Sequence, residues 1–104
     1  MASILWTVGA RKDLRDVLSY VAADSPTYAA LTADRILEAI ERLRRYPKLG
    51  RVVPEFDRES VREIIVGNYR VVYHLRRQRI SILAIVHGSR DLLRRTPTQP
   101  WDFG

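Results

Sequence analysis

The 104-residue chain contains no cysteine, one methionine and two histidines. It has no apolar run near the roughly 20 residues that a membrane helix needs. The absence of cysteine excludes disulfides, thiol nucleophiles and thiolate-held metals, and makes a reducing cytoplasm the expected compartment. With two histidines and no His-x-x-x-His or clustered-acid spacing, no metal site and no cofactor are expected. The start Met-Ala-Ser-Ile-Leu-Trp lacks a basic stretch followed by a long apolar one, so no signal peptide is expected. What is present is 29% charged and 46% hydrophobic residues, the balance of a globular domain with one core. The formal net charge is +6, and sixteen of the eighteen basic residues are arginine. The arginine fork suits phosphate and carboxylate alike, so the charge implies a nucleic acid, an acidic protein or simply a solvated basic surface.

The densest pattern lies between Arg62 and Leu92. Gly67-Asn68 separates two β-rich runs by two residues, a hairpin signal, and Arg77-Gln78 is a weaker second turn. The spacing predicts a three-stranded antiparallel meander over 61–66, 69–76 and 79–87. Two-residue turns set Ile64 opposite Val71, Tyr73 opposite Ile82 and Val71 opposite Ala84. Period-2 alternation then places Ile64, Val66, Tyr69, Val71, Tyr73, Leu75, Ile80, Ile82, Ala84 and Val86 on a covered face. Glu63, Ile65, Arg70, Val72, His74, Arg76, Arg79, Ser81, Leu83, Ile85 and His87 fall on the open one.

Ahead of the meander, residues 3–8 read as a short strand ending at Gly9. Leu14, Val17, Leu18, Val21 and Ala22 follow helical spacing, with Arg11, Lys12, Arg15 and Asp16 outside. Ser25-Pro26 caps and opens a second helix, striped with Ala29, Ala33, Ile36, Leu37, Ile40 and Leu43, which stops at Tyr46-Pro47. Glu38 and Glu41 stand four residues before Arg42 and Arg45, adding i,i+4 support. The short link between the helices requires an antiparallel helical hairpin, and its stripes are the cover for the apolar sheet face. Residues 47–60 read as a loop. The expected architecture is α+β in the order β-α-α-β-β-β, with the N-terminal helical hairpin on one face of a small, mostly antiparallel sheet and the first strand at its edge. A single domain covers 1–95, with one helical turn at 91–95. A weakly ordered tail spans 96–104, where Trp101 and Phe103 read as a docking element or as incidental.

Four stretches carry a resemblance: Pro47-x-Leu49-Gly50-Arg51, Val53-Pro54-Glu55, Arg62-Glu63 followed by Asn68-Tyr69-Arg70-Val71-Val72-Tyr73, and Val86-His87-Gly88-x-Arg90-Asp91. Together, after a helical hairpin, they resemble the RelE/ParE superfamily of toxins from type II toxin–antitoxin modules, nearer the ParE branch. The resemblance spans about residues 3–93. It implies a cytoplasmic toxin that inhibits DNA gyrase, with growth arrest and plasmid stabilization as its effects. It further implies an acidic cognate antitoxin held in a hetero-oligomer, for example a heterotetramer, with operator DNA reached only through the antitoxin and no membrane partner. The RelE branch instead cuts messenger RNA on the ribosome with a set of basic residues and often a C-terminal tyrosine. Here Val52-Val53-Pro54-Glu55-Phe56-Asp57 stands where that branch has a basic loop, Ile65 aligns where it has an arginine, and no tyrosine follows Tyr73. These departures favour a gyrase inhibitor that is not an enzyme. A ribosome-dependent endoribonuclease is the alternative, and a non-toxic binding module in an operon-repressing complex is the third reading.

Arg70, His74, His87 and Arg90 are the expected target-binding residues. For an RNase, Arg70, His87 and Arg90 would form the catalytic set, histidine moving the proton and arginine holding phosphate. Against that stands the commoner role of such residues as polar surface, or, for Arg90, as an ion-pair partner. Tyr69, Tyr73 and Trp6 read as packing residues. Arg11, Lys12, Arg15, Arg35 and Arg42 offer a basic helix surface to an acidic antitoxin segment that folds as it wraps the hairpin and adds a strand to an open sheet edge.

Overall fold

The computed structural model describes residues 1–88; Arg90, the expected turn at 91–95 and the tail with Trp101 and Phe103 lie outside the described residues. The elements are β1 (Ser3–Trp6), α1 (Val8–Asp24), α2 (Pro26–Arg42), β2 (Arg51–Val52), β3 (Val61–Val66), β4 (Tyr69–Arg76) and β5 (Arg79–His87). The sheet order is β1-β5-β4-β3-β2, with β1 parallel to β5 and the remaining pairs antiparallel. The helical hairpin and the meander are as expected. The two-residue strand β2, inside the expected loop, is an addition.

The first helix starts earlier than its apolar spacing suggests. Thr7 leaves the strand to become the N-cap, its Oγ1 accepting from the Ala10 amide. The same hydroxyl donates to the Ile82 carbonyl at 2.7 Å, closing the β5 edge where β1 ends. Ser25 caps α2 with Pro26 at its start, as its sequence implies. Leu37, expected in the buried stripe, is exposed. Glu41 pairs with Arg44, three residues on, rather than with Arg45.

The main core lies between helices and sheet. It contains Ala10, Ile36, Ile40, Leu43, Ile64, Val71, Tyr73, Ile80, Ile82 and Ile85, with Ile4, Trp6, Leu14, Val17, Tyr69 and Leu75 packed around it. A second, smaller core sits on the other face, where Val53 and Phe56 fold over Val61, Val72, Ala84 and Val86. The expected face assignment therefore needs correction beyond Ile82. Pairing runs Tyr73↔Ile82, then Val72↔Ala84, so Leu83 is the extra residue of a β-bulge. From that point the β5 side chains change sides: Val71 faces Ile85 instead of Ala84, Ala84 and Val86 join the second core, and Ile85 and His87 turn to the helix side.

Candidate functional site

The bulge separates the residues expected to act together. Arg70 lies on the second face, paired in register with Val86, while His87 pairs with Tyr69 on the helix face. The His87 and Tyr69 rings meet edge to face at a centroid distance of 5.9 Å. Arg70, His74 and His87 therefore do not share one face. His74 stays on the Arg70 side, half-buried between Val61 and Ser81. Burial first, then the nearby Arg58 and Arg76 charges, lower its pKa, so the neutral imidazole is favoured.

Arg70 is enclosed rather than presented. Its Nη1 and Nη2 donate to the two Glu55 carboxylate oxygens at 2.7 Å each, and its Nε donates to Glu63 at 2.6 Å. Glu63 is itself buried and accepts a second guanidinium from Arg51. Three of the five guanidinium N–H donors are thus bound to two carboxylates, and the fork matches Glu55 in two parallel bonds. The Arg70 bond holds the Glu55 carboxyl below its ordinary range, although burial pulls the other way. The hydrogen bonds it donates to Glu55, then to Glu63, push the arginine further from deprotonation, again against desolvation. This cluster fastens the 53–60 loop over the second core. Arg70, an arginine expected to hold phosphate, is thus turned to two carboxylates and away from His87.

A cross-link of another kind closes the helix-side face. The buried Tyr73 hydroxyl donates to the Pro47 carbonyl at 2.7 Å and accepts from the Gly50 amide at 2.9 Å. Burial raises its pKa, keeping the proton in place as a donor. Gly50 fits because a Cβ there would stand 2.6 Å from the Glu63 carbonyl oxygen and 2.7 Å from the Tyr73 hydroxyl.

The outward helix surface is what remains available. Arg11, Lys12, Arg15, Arg35 and Arg42 are all exposed, and Lys12 also pairs with Asp16 at 2.8 Å. On α2, helical spacing aligns Tyr28, Leu31, Arg35 and Arg42 along one stripe, and Tyr28 and Leu31 are exposed there. The sequence marks the exposed cations of that stripe but not its apolar half, because Tyr28 and Leu31 fall outside the buried stripe. Its lower end enters a groove of about 310 Å³ lined by Ala39, Arg42, Leu49, Arg51, Ile64 and Ile65 among others. Here β2 pairs only with Arg62 and Glu63, so the β3 edge beyond Glu63 has no strand partner among the described residues. Ile65, beside that edge, is 57% exposed. Apolar surface, two arginines and an open strand edge thus meet along one side of the molecule.

Comparison with known proteins agrees with this architecture. The family model described as "ParE toxin of type II toxin-antitoxin system, parDE" matches residues 4–92. "Toxin RelE2" of Caulobacter vibrioides is 32% identical over 90 residues, covering 86% of this chain and 99% of that protein. "Putative toxin Y4kP" of Sinorhizobium fredii is 31% identical over 87 residues, covering 82% and 86%. A solved structure titled "Chromosomal ParDE TA system from P. aeruginosa" has the same fold, with a TM-score of 0.68 and 24% identity over 84% of this chain and 96% of that one.

Proposed function

We propose, from the premise that the chain belongs to the ParE toxin family of type II toxin–antitoxin systems, that it acts in the cytoplasm as a toxin that inhibits DNA gyrase by protein–protein contact. The observation that carries this reading against RNA cleavage is the enclosure of Arg70. A ribonuclease of this fold must aim a cation at the scissile phosphate and a proton carrier at the ribose. Here Arg70 is spent on Glu55 and Glu63, and His87 lies on the opposite face of the sheet. The name of the Caulobacter relative keeps ribosome-dependent cleavage as the second reading, and Arg90, outside the described residues, is its remaining candidate. A non-toxic repressor subunit is the third.

An acidic antitoxin is the partner in every version. Its C-terminal segment would order itself along the α2 stripe, reach Arg35 and Arg42, and extend the sheet at the β3 edge. Arg11, Lys12 and Arg15 on α1 widen the basic surface it meets. Any binding of operator DNA in sequence-specific form belongs to the antitoxin.

The test is a supercoiling assay with purified gyrase, run with and without ATP and scored for trapped cleaved DNA. Loss of supercoiling or accumulation of linear DNA at micromolar toxin supports the reading. An unaffected gyrase together with messenger RNA cut in a translating extract would replace it with the ribosomal one. Normal growth on expression without the antitoxin would leave the repressor subunit.

A further inference from the structure

Both hairpins of the meander turn through two residues, and both put the first of those residues in the left-handed region, Gly67 at φ 58° and Arg77 at φ 56°. The first hairpin uses the residue such a turn favours; the second uses an arginine, whose Cβ makes that conformation unfavourable. Its neighbours break a further local rule. Arg76 and Arg79 are paired directly across the ladder, like charge against like charge. All three arginines are exposed, and none forms an ion pair among the described residues.

More positive charge converges on this tip from elsewhere in the chain. The Ser3 amide donates to the Gln78 carbonyl and the Ala2 amide to the Arg44 carbonyl, tying the hairpin tip to the end of α2. Lys48 and Arg77 line one groove together with the exposed Tyr46. Arg45 and Lys48 are exposed and likewise have no ion pair among the described residues. No acidic residue occurs between Arg42 and Pro54, or between Ile64 and Arg90. The charges that act on His74, Arg58 and Arg76, are positive as well.

We propose that this basic pole, Arg45, Lys48, Arg76, Arg77 and Arg79, binds the phosphate backbone of duplex DNA without reading its sequence. A bound anion offsets the repulsion between Arg76 and Arg79, and a non-glycine residue at positive φ beside them is a broken local rule of the kind found at functional sites. A duplex backbone suits the pole because its charge is continuous and single-signed, and because an exposed tyrosine can pack against sugar. The choice of duplex DNA rests on the gyrase reading, since duplex DNA is the substrate of gyrase.

The test is fluorescence anisotropy with a 20-base-pair duplex of arbitrary sequence, titrated from about 50 to 200 mM salt, a range over which phosphate contacts weaken sharply. The wild-type chain is expected to bind, with Kd on the order of 10⁻⁶–10⁻⁴ M near physiological salt. The triple variant Arg76→Gln, Arg77→Gly, Arg79→Gln is expected to lose about tenfold or more at low salt and to flatten the salt slope by about 2–3. Arg77→Gly alone restores the favoured turn residue, so it should raise the melting temperature while weakening DNA, which separates binding from folding. Arg11→Gln, Lys12→Gln, Arg15→Gln removes as much charge elsewhere and should keep DNA affinity. Absent binding, or equal losses in the two triple variants, overturns the proposal. Preferential binding of a structured RNA or of polyglutamate at the same arginines overturns it in favour of an RNA or an acidic protein. Gyrase inhibition is scored separately: a chain that binds DNA and leaves gyrase untouched refutes the functional reading alone, and one that inhibits gyrase without binding DNA refutes this inference alone.

Discussion

The Asp13 carboxylate on α1 accepts the backbone N–H of Ile85 on β5 at 2.9 Å, across 72 residues of sequence. The bond sits beyond the point where β1 stops, so β5 has no strand on that side to take the amide. It also lies two residues past the bulge at Leu83, where β5 changes faces. A buried acid on the inner side of an amphipathic helix thus substitutes for a missing strand.

Asp13→Ala leaves that amide buried and without its acceptor, which costs about 1–3 kcal/mol. In a domain of this size such a loss lowers the melting temperature by roughly 4–8 °C per kcal/mol. Asp13→Asn keeps an acceptor oxygen and should recover most of the loss. Urea unfolding of the three proteins checks this, and equal stability of wild type and the alanine variant refutes it.

That bond also marks where the sequence could be read and where it could not. Strands β3, β4 and β5 follow from β-rich runs and two short turns, and their residue ranges agree with expectation. The helical hairpin follows from periodicity and from Ser25-Pro26. The bulge has no local signal: Leu83-Ala84-Ile85-Val86 is uniformly apolar, so either register buries it. Only the packing of Ile85 under α1 and of Ala84 and Val86 under Val53 decides. Without the bulge His87 would share a face with Arg70; with it the two lie on opposite faces. Glu63 shares the open face with Arg70 in the expected register, but the Glu55 contact depends on the 53–60 loop folding back. That loop carries Asp57 at a positive φ of 49°, a tertiary outcome that composition does not encode.

Arg70 predicts an acid-sensitive second core. Replacing it with methionine leaves the fully buried Glu63 with Arg51 as its one remaining ion-pair partner and removes the bidentate partner of Glu55, which should cost about 3 kcal/mol, the lower end for breaking a buried pair. Adding Glu63→Gln and Glu55→Gln to that variant removes both carboxylate charges and should return a large part of the loss. Because the folded-state Glu55 pKa is depressed, its contribution is complete above the unfolded-state value and disappears as pH falls through the folded-state value. Wild-type stability should therefore decline on the acid side of the ordinary glutamate range. The triple variant should show a shallower decline there, measured as urea midpoints between pH 6 and pH 3, within the acid window in which native carboxylates are titrated. Parallel curves would show that the cluster does not govern acid stability.

Gly50 and Tyr73 predict a packing defect that spares surface charge. An alanine Cβ at Gly50 collides with the Glu63 carbonyl, a backbone atom that cannot rotate away. Gly50→Ala should cost about 1–3 kcal/mol, as overpacking does. Tyr73→Phe leaves the ring and removes the hydroxyl that holds both the Gly50 amide and the Pro47 carbonyl. It should cost about 1–3 kcal/mol and loosen the 47–52 segment. Amide hydrogen exchange reads this directly: the Gly50 amide should lose protection in Tyr73→Phe while amides in α1 keep theirs, and unchanged protection at Gly50 would refute the assignment.

The α2 stripe predicts how antitoxin binding divides between contact and attraction. Tyr28 and Leu31 are exposed in the free chain, so truncating them should leave stability within about 0.5 kcal/mol. If the antitoxin segment lies along them, Tyr28→Ala and Leu31→Ala should each raise its Kd about tenfold or more, chiefly through faster dissociation. Arg35→Ser and Arg42→Ser should act differently, slowing association and reducing its dependence on salt, because charges at the margin of an interface steer encounter more than they hold the complex. Surface plasmon resonance with the cognate antitoxin at two salt concentrations separates the two effects. Unchanged kinetics in all four variants would move the antitoxin off this face, leaving the exposed α1 arginines as the next surface to examine.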